Sequence, residues 1–413
     1  MHECKKRLPA DICSFEHMIS DNYIYVDKTD LIGSLVQHKG PFLFTRPKGF
    51  GKTTLLSTMQ CLFVKGFEHF SALNISHNFQ VHKSYAVLLI DFAAFKGSGS
   101  DIKGQRAFYI ELIKDFFKEQ GVDLCDSYMS LASVLDAGLS RIKKQVVLLI
   151  DNYDAPLSQA LCNKDLFAGY VASLGNFYAV IKSYSDKFKF IFITGSLRFT
   201  DSTVFVSFNN MHDISFKSEY AALTGFTQQD LDLYFKDYIQ SILTNKYALG
   251  NDNATHCTYT KLVESMRAHY GGYCFDLNCK NELYNPALLI DFLQRIEQGL
   301  LSYNTDIKAI TPSYLSEFVT EHNDDSAADS MAADGIASVF NKHSFIKSID
   351  SLKLDVKGRD NVAEQLVSLI FYSGLVSIKS AQLNALELVI PNLVSKRAYS
   401  ALHSLPATGC HDT

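Results

Sequence analysis

The feature that most constrains this chain is a loop with two glycines between an apolar run and an amphipathic segment. It lies within residues 42–59, which read FLFTRPKGFGKTTLLSTM. The apolar run predicts a strand, and the later apolar residues, which recur at helical spacing, predict a helix. This layout is typical of phosphate-binding loops, in which backbone N–H groups turn towards the anion. The helix that follows points its positive end at the same phosphate.

The loop departs from the pattern G-x-x-x-x-G-K-[ST] at one position. Arg46 stands where the first glycine belongs, while Gly51, Lys52 and Thr53 fit. The lysine would neutralise the outer phosphates, and the threonine hydroxyl would ligate Mg²⁺. The alternative is a turn that merely contains a lysine. We expect the whole loop to hold a nucleotide, through Arg46, Pro47, Lys48, Gly49, Phe50, Gly51, Lys52, Thr53 and Thr54.

Three further apolar runs predict a parallel sheet covered by helices on both faces, and therefore an α/β fold. These expected strands cover residues 85–92, 146–150 and 188–194. Amphipathic patterns between them predict helices. Parallel sheets bind ligands at the carboxyl ends of their strands. One site should therefore form from the residues at these ends, Lys52, Asp91, Asp151 and Thr194.

The second of these runs, VVLLI followed by Asp151, has the form of a Walker B strand. Its aspartate would orient water around Mg²⁺ opposite Thr53. The alternative is an aspartate that caps a turn. A glutamate that polarises the attacking water often comes next, but here the residue is Asn152, which cannot act as a base. In an extended segment Asp154 would point to the same side and could partly substitute, or the site binds ATP and hydrolyses it slowly.

The third run ends at Thr194, where a polar sensor of the γ-phosphate would lie. Arg198 follows within one turn and could neutralise developing charge there. The alternative for Arg198 is a surface ion pair.

Net charge, apolar runs and cysteine spacing narrow the classes of protein to which this chain could belong. The formal net charge of −5 disfavours a surface that coats nucleic acid, although a local basic patch stays possible. No apolar run is long enough to span a bilayer, and the first residues lack the apolar core of a secretory signal. None of the nine cysteines forms a CxxC pair. We therefore expect reduced thiols, a cytoplasmic protein and no membrane association.

The second half of the chain is predicted to be mostly helical. Thr227 opens a capping-box helix, and Asn285 with Pro286 opens another. Residues 322–334 are acidic and small and predict a loop. A helix over 361–372 followed by a hairpin over 375–380 and 386–391 suggests a winged-helix-like module. We expect an ATPase-like core at 1–220, a helical lid at 221–300 and this C-terminal region at 301–413.

Several ordered motifs resemble the AAA-ATPase-like family, predicted P-loop ATPases that often carry a C-terminal PD-(D/E)XK nuclease-like domain. The resemblance covers roughly residues 8–395. It includes an arginine in place of the first loop glycine, as at Arg46. The motifs that carry it are YVDKT at 25–29, TRPKGFGKT at 45–53, IDNYDAPL at 150–157, TG with Arg198, FNN at 208–210, LTGFT at 223–227, YNP at 284–286, LIFYSG at 369–374 and IPN at 390–392.

The resemblance implies an ATP- and Mg²⁺-dependent switch whose helical lid closes over the nucleotide. Two departures qualify it. The family glutamate is Asn152 here, and no spaced Asp and Glu-x-Lys set follows residue 392, so nuclease activity is not expected. The rival hypothesis is a module that binds protein or nucleic acid through its C-terminal half and carries a vestigial ATP site.

Overall fold

A five-stranded parallel sheet organises the first half of the chain in the computed structural model. The structure describes residues 6–67, 69–77, 84–95, 101–125, 130–199, 204–208, 210–244, 259–298, 310–322, 330–342, 344–354, 362–382 and 385–405. The strand order is β2-β3-β4-β1-β5. The strands are β1 Pro41–Thr45, β2 Ala86–Asp91, β3 Val146–Asp151, β4 Phe188–Gly195 and β5 His212–Asp213. The α/β fold predicted from the apolar runs is confirmed.

Helices cover both faces of this sheet because its central strands are buried on both sides. Along β3, Val147 and Leu149 pack into one core, and Leu148 and Ile150 into the other. The helices of this half are α1 Phe15–Ser20, α2 Thr29–Val36, α3 Lys52–Lys65, α4 Ile102–Glu119, α5 Leu131–Arg141, α6 Ala155–Gln159 and α7 Lys164–Ser183. The first three contribute to the core that contains Val147, and α4, α5 and α7 contribute to the other.

The parallel register brings the carboxyl ends of the strands together. Asp91 pairs with Asp151 across β2 and β3, and Phe44 pairs with Thr194 across β1 and β4. Lys52 begins α3 a few residues after the end of β1. The predicted convergence of the strand ends on one edge is therefore confirmed for the residues that follow β1, β2, β3 and β4.

The second half is mostly helical, as predicted. Its helices are α8 Gln228–Asp230, α9 Lys236–Thr244, α10 Tyr259–Tyr270, α11 Pro286–Glu297, α12 Ser313–His322, α13 Ser330–Phe340, α14 Val362–Tyr372 and α15 Leu393–His403. A π-helical turn, Leu231–Phe235, joins α8 to α9. Thr227 forms the predicted capping box, and the Asn285 side chain caps α11 with Pro286 at its first turn.

The predicted C-terminal hairpin is present, with an additional strand beside it. β7 Ser377–Gln382 pairs antiparallel with β8 Ala385–Val389, which also pairs with β6 Ser344–Ser348. The loop predicted over 322–334 is wrong at His322, where α12 ends, and from residue 330 onwards, where α13 begins. Residues 323–329 of that prediction, like residue 361 of the predicted helix and Asn209 of the FNN motif, lie outside the described residues. The division into three domains stays a prediction.

Candidate functional site

The phosphate loop has the backbone that its glycines predict. Gly49 and Gly51 have φ of +85° and +86°, in the region that L side chains rarely adopt. Gly51 is the N-cap residue of α3 and, because it has no side chain, gives no cap hydrogen bond to the first N–H groups of that helix. Because the first N–H groups of a helix have no partner within the helix, they are available to an anion. The loop can therefore cradle a phosphate at the start of α3.

Lys52 is folded into this loop. Its Nζ donates to the carbonyl oxygens of Arg46 at 2.7 Å and Pro47 at 3.1 Å, and to Ser196 Oγ at 3.2 Å. Burial lowers its pKa to about 8, although the negative charges of Asp154 and Asp151 oppose the shift. A phosphate oxygen is a stronger acceptor than a carbonyl oxygen and would restore a buried counter-charge. Lys52 is thus placed to receive an anion.

A hydroxyl and a carboxylate that could hold a magnesium ion lie directly beside Lys52. Thr53 Oγ1 donates to Asp151 Oδ2 at 2.8 Å, and the other oxygen of Asp151 accepts the N–H of Asn152 at 2.9 Å. Burial raises the pKa of Asp151, and a bound cation would offset that cost. A hydroxyl and a carboxylate suit Mg²⁺, which keeps waters and phosphate oxygens as its other ligands. The arrangement of Thr53 and Asp151 therefore fits the Mg²⁺ ion expected from the sequence.

The segment after β3 is a turn rather than the extended chain that the sequence analysis assumed. Asn152 has φ of +50°, and its Nδ2 donates to Asp91 Oδ1 at 2.9 Å, towards the end of β2. Asp154 points the other way, to the loop after β4, where it accepts the N–H groups of Ser196 at 2.9 Å and Leu197 at 2.8 Å. The expectation that the two side chains share a side is therefore wrong, because the left-handed residue reverses the chain.

Asp154 therefore stabilises the turn after β4 at the edge of the site. It is 4 % exposed, and burial raises its pKa while its two hydrogen bonds from the backbone oppose that shift. Both oxygens are engaged by the turn that also presents Ser196 to Lys52. Its predicted role in placing the attacking water would require one of these hydrogen bonds to open.

Thr194 and Arg198 lie after β4 but differ in their surroundings. Thr194 is fully buried, and its hydroxyl has no hydrogen-bond partner among the described residues. Arg198 is 3 % exposed, and its Nε donates to Asp213 Oδ2 at 2.8 Å. The alternative of an ion pair is therefore present, although it is buried rather than on the surface. A γ-phosphate contact by Arg198 stays a prediction that requires this pair to open.

Arg46, at the position of the usual first glycine, is buried beneath the loop. Its guanidinium donates to the carbonyl oxygens of Thr45 at 2.9 Å and Ser215 at 2.6 Å. It also lies 4.4 Å from the ring centre of Phe44 and 4.6 Å from that of Phe275. The planar guanidinium of an arginine can lie against aromatic rings and still donate several hydrogen bonds in its plane. The structure places this side chain as a support of the loop.

The remaining loop residues divide between the cavity and the second half of the chain. Lys48 and Thr54 line the cavity described next. Phe50 is fully buried, and its ring packs edge-on against Tyr273 and Phe275 at 5.1 and 5.3 Å between ring centres. A Cβ on Gly374 would lie 3.2 Å from Pro47. The loop is therefore held from below by residues far along the chain.

A cavity of about 750 Å³ opens in front of the phosphate loop. Lys52, Thr53, Asn152, Asp154 and Ser196 line one part of it. Apolar side chains of the N-terminal segment, the 223–226 segment and α11 line another part, among them Ile12, Ile24, Leu223, Phe226 and Ile290. This volume suits a small organic ligand with a charged and an apolar end.

Several cavity residues were missed by sequence reasoning. Tyr314 and Tyr372 reach the cavity from the C-terminal region, and Pro9 to Cys13 reach it from the N-terminus. The motifs YVDKT and LTGFT were recognised, but no role followed from their residue types. In the structure both motifs contribute to the cavity wall, through Lys28 and Thr224 among others.

A glutamate in place of Asn152 is expected to destabilise the protein. Asn tolerates left-handed backbone, whereas glutamate there costs roughly 1–2 kcal/mol. Asn152→Glu would also place a carboxylate against Asp91, where the amide now donates at 2.9 Å. We expect the free energy of unfolding to fall by about 1–2 kcal/mol from the backbone alone, and further from the repulsion with Asp91, as measured by urea denaturation.

The charge part of this loss should be recovered by Asp91→Asn in the Asn152→Glu background. Asp91→Asn alone is the control that closes the double-mutant cycle. Strictly additive effects of the two substitutions would contradict the contact.

A parallel strand, a loop with two glycines and a helix that begins with a lysine give this chain the layout of a P-loop protein. Residues 9–205 match the family model described as predicted AAA-ATPase, which confirms the resemblance for that part of the chain. An uncharacterized protein in the vnfD 5' region of Azotobacter chroococcum mcd 1 is 27% identical over 345 residues, which are 81% of this chain. The chain spans 61% of the length of that relative.

A solved structure gives a weaker likeness. The Aeropyrum pernix ORC1 protein in complex with DNA superposes with a TM-score of 0.33 and 10% sequence identity, over 93% of this chain and 96% of that one. Among the described residues, no helix is both long and apolar enough to cross a membrane.

Proposed function

We propose that this protein binds ATP with Mg²⁺ and works as a nucleotide-dependent switch whose hydrolysis is weak. The observation that carries the proposal is the position of Lys52. Its ammonium is buried against loop carbonyls at 2.7 and 3.1 Å, beside the Thr53–Asp151 pair and at the charged part of the cavity. This arrangement supports binding of a polyphosphate, with the β- and γ-phosphates at Lys52 and the ion at Thr53 and Asp151.

Weak hydrolysis is proposed from Asn152 and from the two carboxylates nearest to it along the strand ends and the turn. Asn152 replaces the glutamate that would polarise water, and an amide cannot accept a proton as a base. Asp154 uses both oxygens on backbone N–H groups, and Asp91 accepts from Asn152 and from the N–H of Ala93. A water could still be held by these polar groups, but its deprotonation would lack a dedicated base.

The switch is proposed from the contacts between the loop and the second half of the chain. Asn285 Nδ2 donates to the carbonyl of Lys48 at 3.2 Å, and Gly225 N–H donates to that of Phe50 at 3.1 Å. The N–H of Ala287 donates to the carbonyl of Gly49 at 3.1 Å. When a phosphate draws the loop amides inward, these contacts would carry the change to α11 and beyond. A protein or nucleic-acid partner at the C-terminal half, and a cytoplasmic location, belong to the same proposal.

The test is a thermal melt with Mg-ATP, Mg-ADP or buffer alone, followed by phosphate release on the same sample. A nucleotide at 100 times its Kd should stabilise the protein by about 2.7 kcal/mol. Stabilisation by ATP with slow phosphate release is the expected result. Rapid turnover would contradict weak hydrolysis. No shift with either nucleotide would overturn the binding proposal and favour the vestigial site.

A further inference from the structure

A tyrosine from the C-terminal region has an unusual position in the cavity wall. Tyr372 is the last residue of α14 and is 3 % exposed. It lines the cavity, yet its hydroxyl has no hydrogen-bond partner among the described residues. Burying a hydroxyl without a partner is costly, so native structures rarely keep one without a reason.

Other buried tyrosines in the chain show the usual solution. Tyr153 donates to the carbonyl of Leu197 at 2.7 Å, and Tyr109 donates to that of Phe92 at 3.0 Å. Tyr399 donates to the carbonyl of Val339 at 2.9 Å. Tyr372 differs from these three because its side chain lines a cavity while its hydroxyl has no acceptor among the described residues. A ligand in the cavity is the natural source of the missing acceptor.

The position of Tyr372 along the cavity indicates which part of the ligand it would meet. Gly374, two residues later, packs on Pro47 of the phosphate loop, with 3.2 Å from a Cβ at that glycine. Burial raises the pKa of Tyr372. The charge of Asp213, at the end of β5, adds to this shift, and the charge of Arg198, after β4, opposes it. The side chain therefore lies near the strand ends and the phosphate loop, in the part of the cavity that holds Lys52 and Ser196.

The neighbouring tyrosine supports the same placement. Tyr314 of α12 also lines the cavity, and its hydroxyl lies 3.4 Å from Ser373 Oγ. Burial raises the pKa of Tyr314, and the negative charge of Asp154 adds to the shift. Asp154 also holds the loop that presents Ser196 to Lys52. Two tyrosines of the C-terminal region thus line the same cavity as Lys52 and Ser196.

We propose that the Tyr372 hydroxyl donates a hydrogen bond to the terminal phosphate of bound ATP, and that this contact lets the C-terminal region distinguish ATP from ADP. The inference rests on the proposed function, since it needs a nucleotide at Lys52. A phenol kept protonated by its buried surroundings is a donor, and phosphate oxygens accept strongly. Because ADP lacks the third phosphate, the hydroxyl would stay without a partner in the ADP state.

The test compares Tyr372→Phe with the wild-type protein in titrations of ADP and of an ATP analogue with an imido bridge between the last two phosphates. The substitution removes only the hydroxyl and keeps the ring. A hydrogen bond to a charged group is worth about tenfold or more in affinity. We expect the analogue to bind about tenfold more weakly, with the affinity for ADP unchanged.

Tyr178→Phe is the matched control. Tyr178 is fully buried, and its hydroxyl also lacks a partner among the described residues, but the residue does not line the cavity. This variant should bind both nucleotides like the wild type. Thermal melts without nucleotide check that both variants fold.

Three results would overturn the inference. Unchanged binding of the analogue by Tyr372→Phe would do so, and so would an equal loss for ADP, because neither distinguishes the terminal phosphate. In both cases wild-type binding would leave the proposed function intact. If the wild type binds neither nucleotide, the proposed function fails together with the inference.

Discussion

Lys52→Met is expected to weaken ATP binding by at least about a hundredfold, because the ammonium is the main cation at the phosphate end of the cavity. Each interaction with a charged group contributes about 1.5–3 kcal/mol, and 1.4 kcal/mol is tenfold in affinity. Methionine keeps the volume of the lysine stem, so the packing around it is preserved. The loss should appear in an isothermal titration with Mg-ATP and as a missing thermal shift.

The control for this variant is Lys65→Ala, at the opposite end of the same helix. Lys65 pairs with Glu16 on the surface, where an ion pair contributes about 0–1 kcal/mol. This variant should bind ATP normally. Tight ATP binding by Lys52→Met would mean that the phosphates lie elsewhere, and the assignment of the loop would fail.

Arg46→Gly is expected to destabilise the protein strongly although it restores the usual phosphate-loop pattern. The substitution empties the space between Phe44 and Phe275 and leaves the carbonyl oxygens of Thr45 and Ser215 without their donor. Removing a large buried side chain costs about 3–5 kcal/mol. Urea denaturation should therefore show a lower free energy of unfolding by about this amount.

Lys48→Gly tests whether this effect belongs to the site of the arginine rather than to any added glycine. Lys48 lies in the same loop and is exposed. A glycine there should cost no more than about 1 kcal/mol, through the greater freedom of the unfolded chain. If Arg46→Gly and Lys48→Gly had the same free energy of unfolding, the structural role of Arg46 would be contradicted.

Local patterns predicted the sheet and the strand ends well. The runs that became β2, β3 and β4 are continuously apolar, and the polar residue at each end converged as expected. Strand β5 escaped notice because it has only two residues, His212 and Asp213, and no apolar run. Strand β6 was missed for a related reason, since its exposed Ile346 and polar neighbours give no clear alternation of buried positions.

The site was predictable in its residue types but less so in their directions. Thr53 and Asp151 meet as expected because a strand end and a helix start fix both of them. The side chains of Asn152 and Asp154 diverge because Asn152 has left-handed backbone, which reverses the chain. The local sequence pattern did not predict this backbone conformation. The burial of Arg46 depends on Phe275, more than two hundred residues later, so no local pattern could reveal it.

The contacts beneath the phosphate loop also join the loop to the second half of the chain. The family match ends at residue 205, but Phe275, Asn285 and Gly374 all contact the loop from beyond that boundary. If nucleotide tightens these contacts by some factor, thermodynamic reciprocity requires that loosening them weakens nucleotide binding by the same factor. A partner that pulled the C-terminal half away from the loop would then lower the fraction of protein with bound nucleotide. In the other direction, bound nucleotide would make that half harder to pull away.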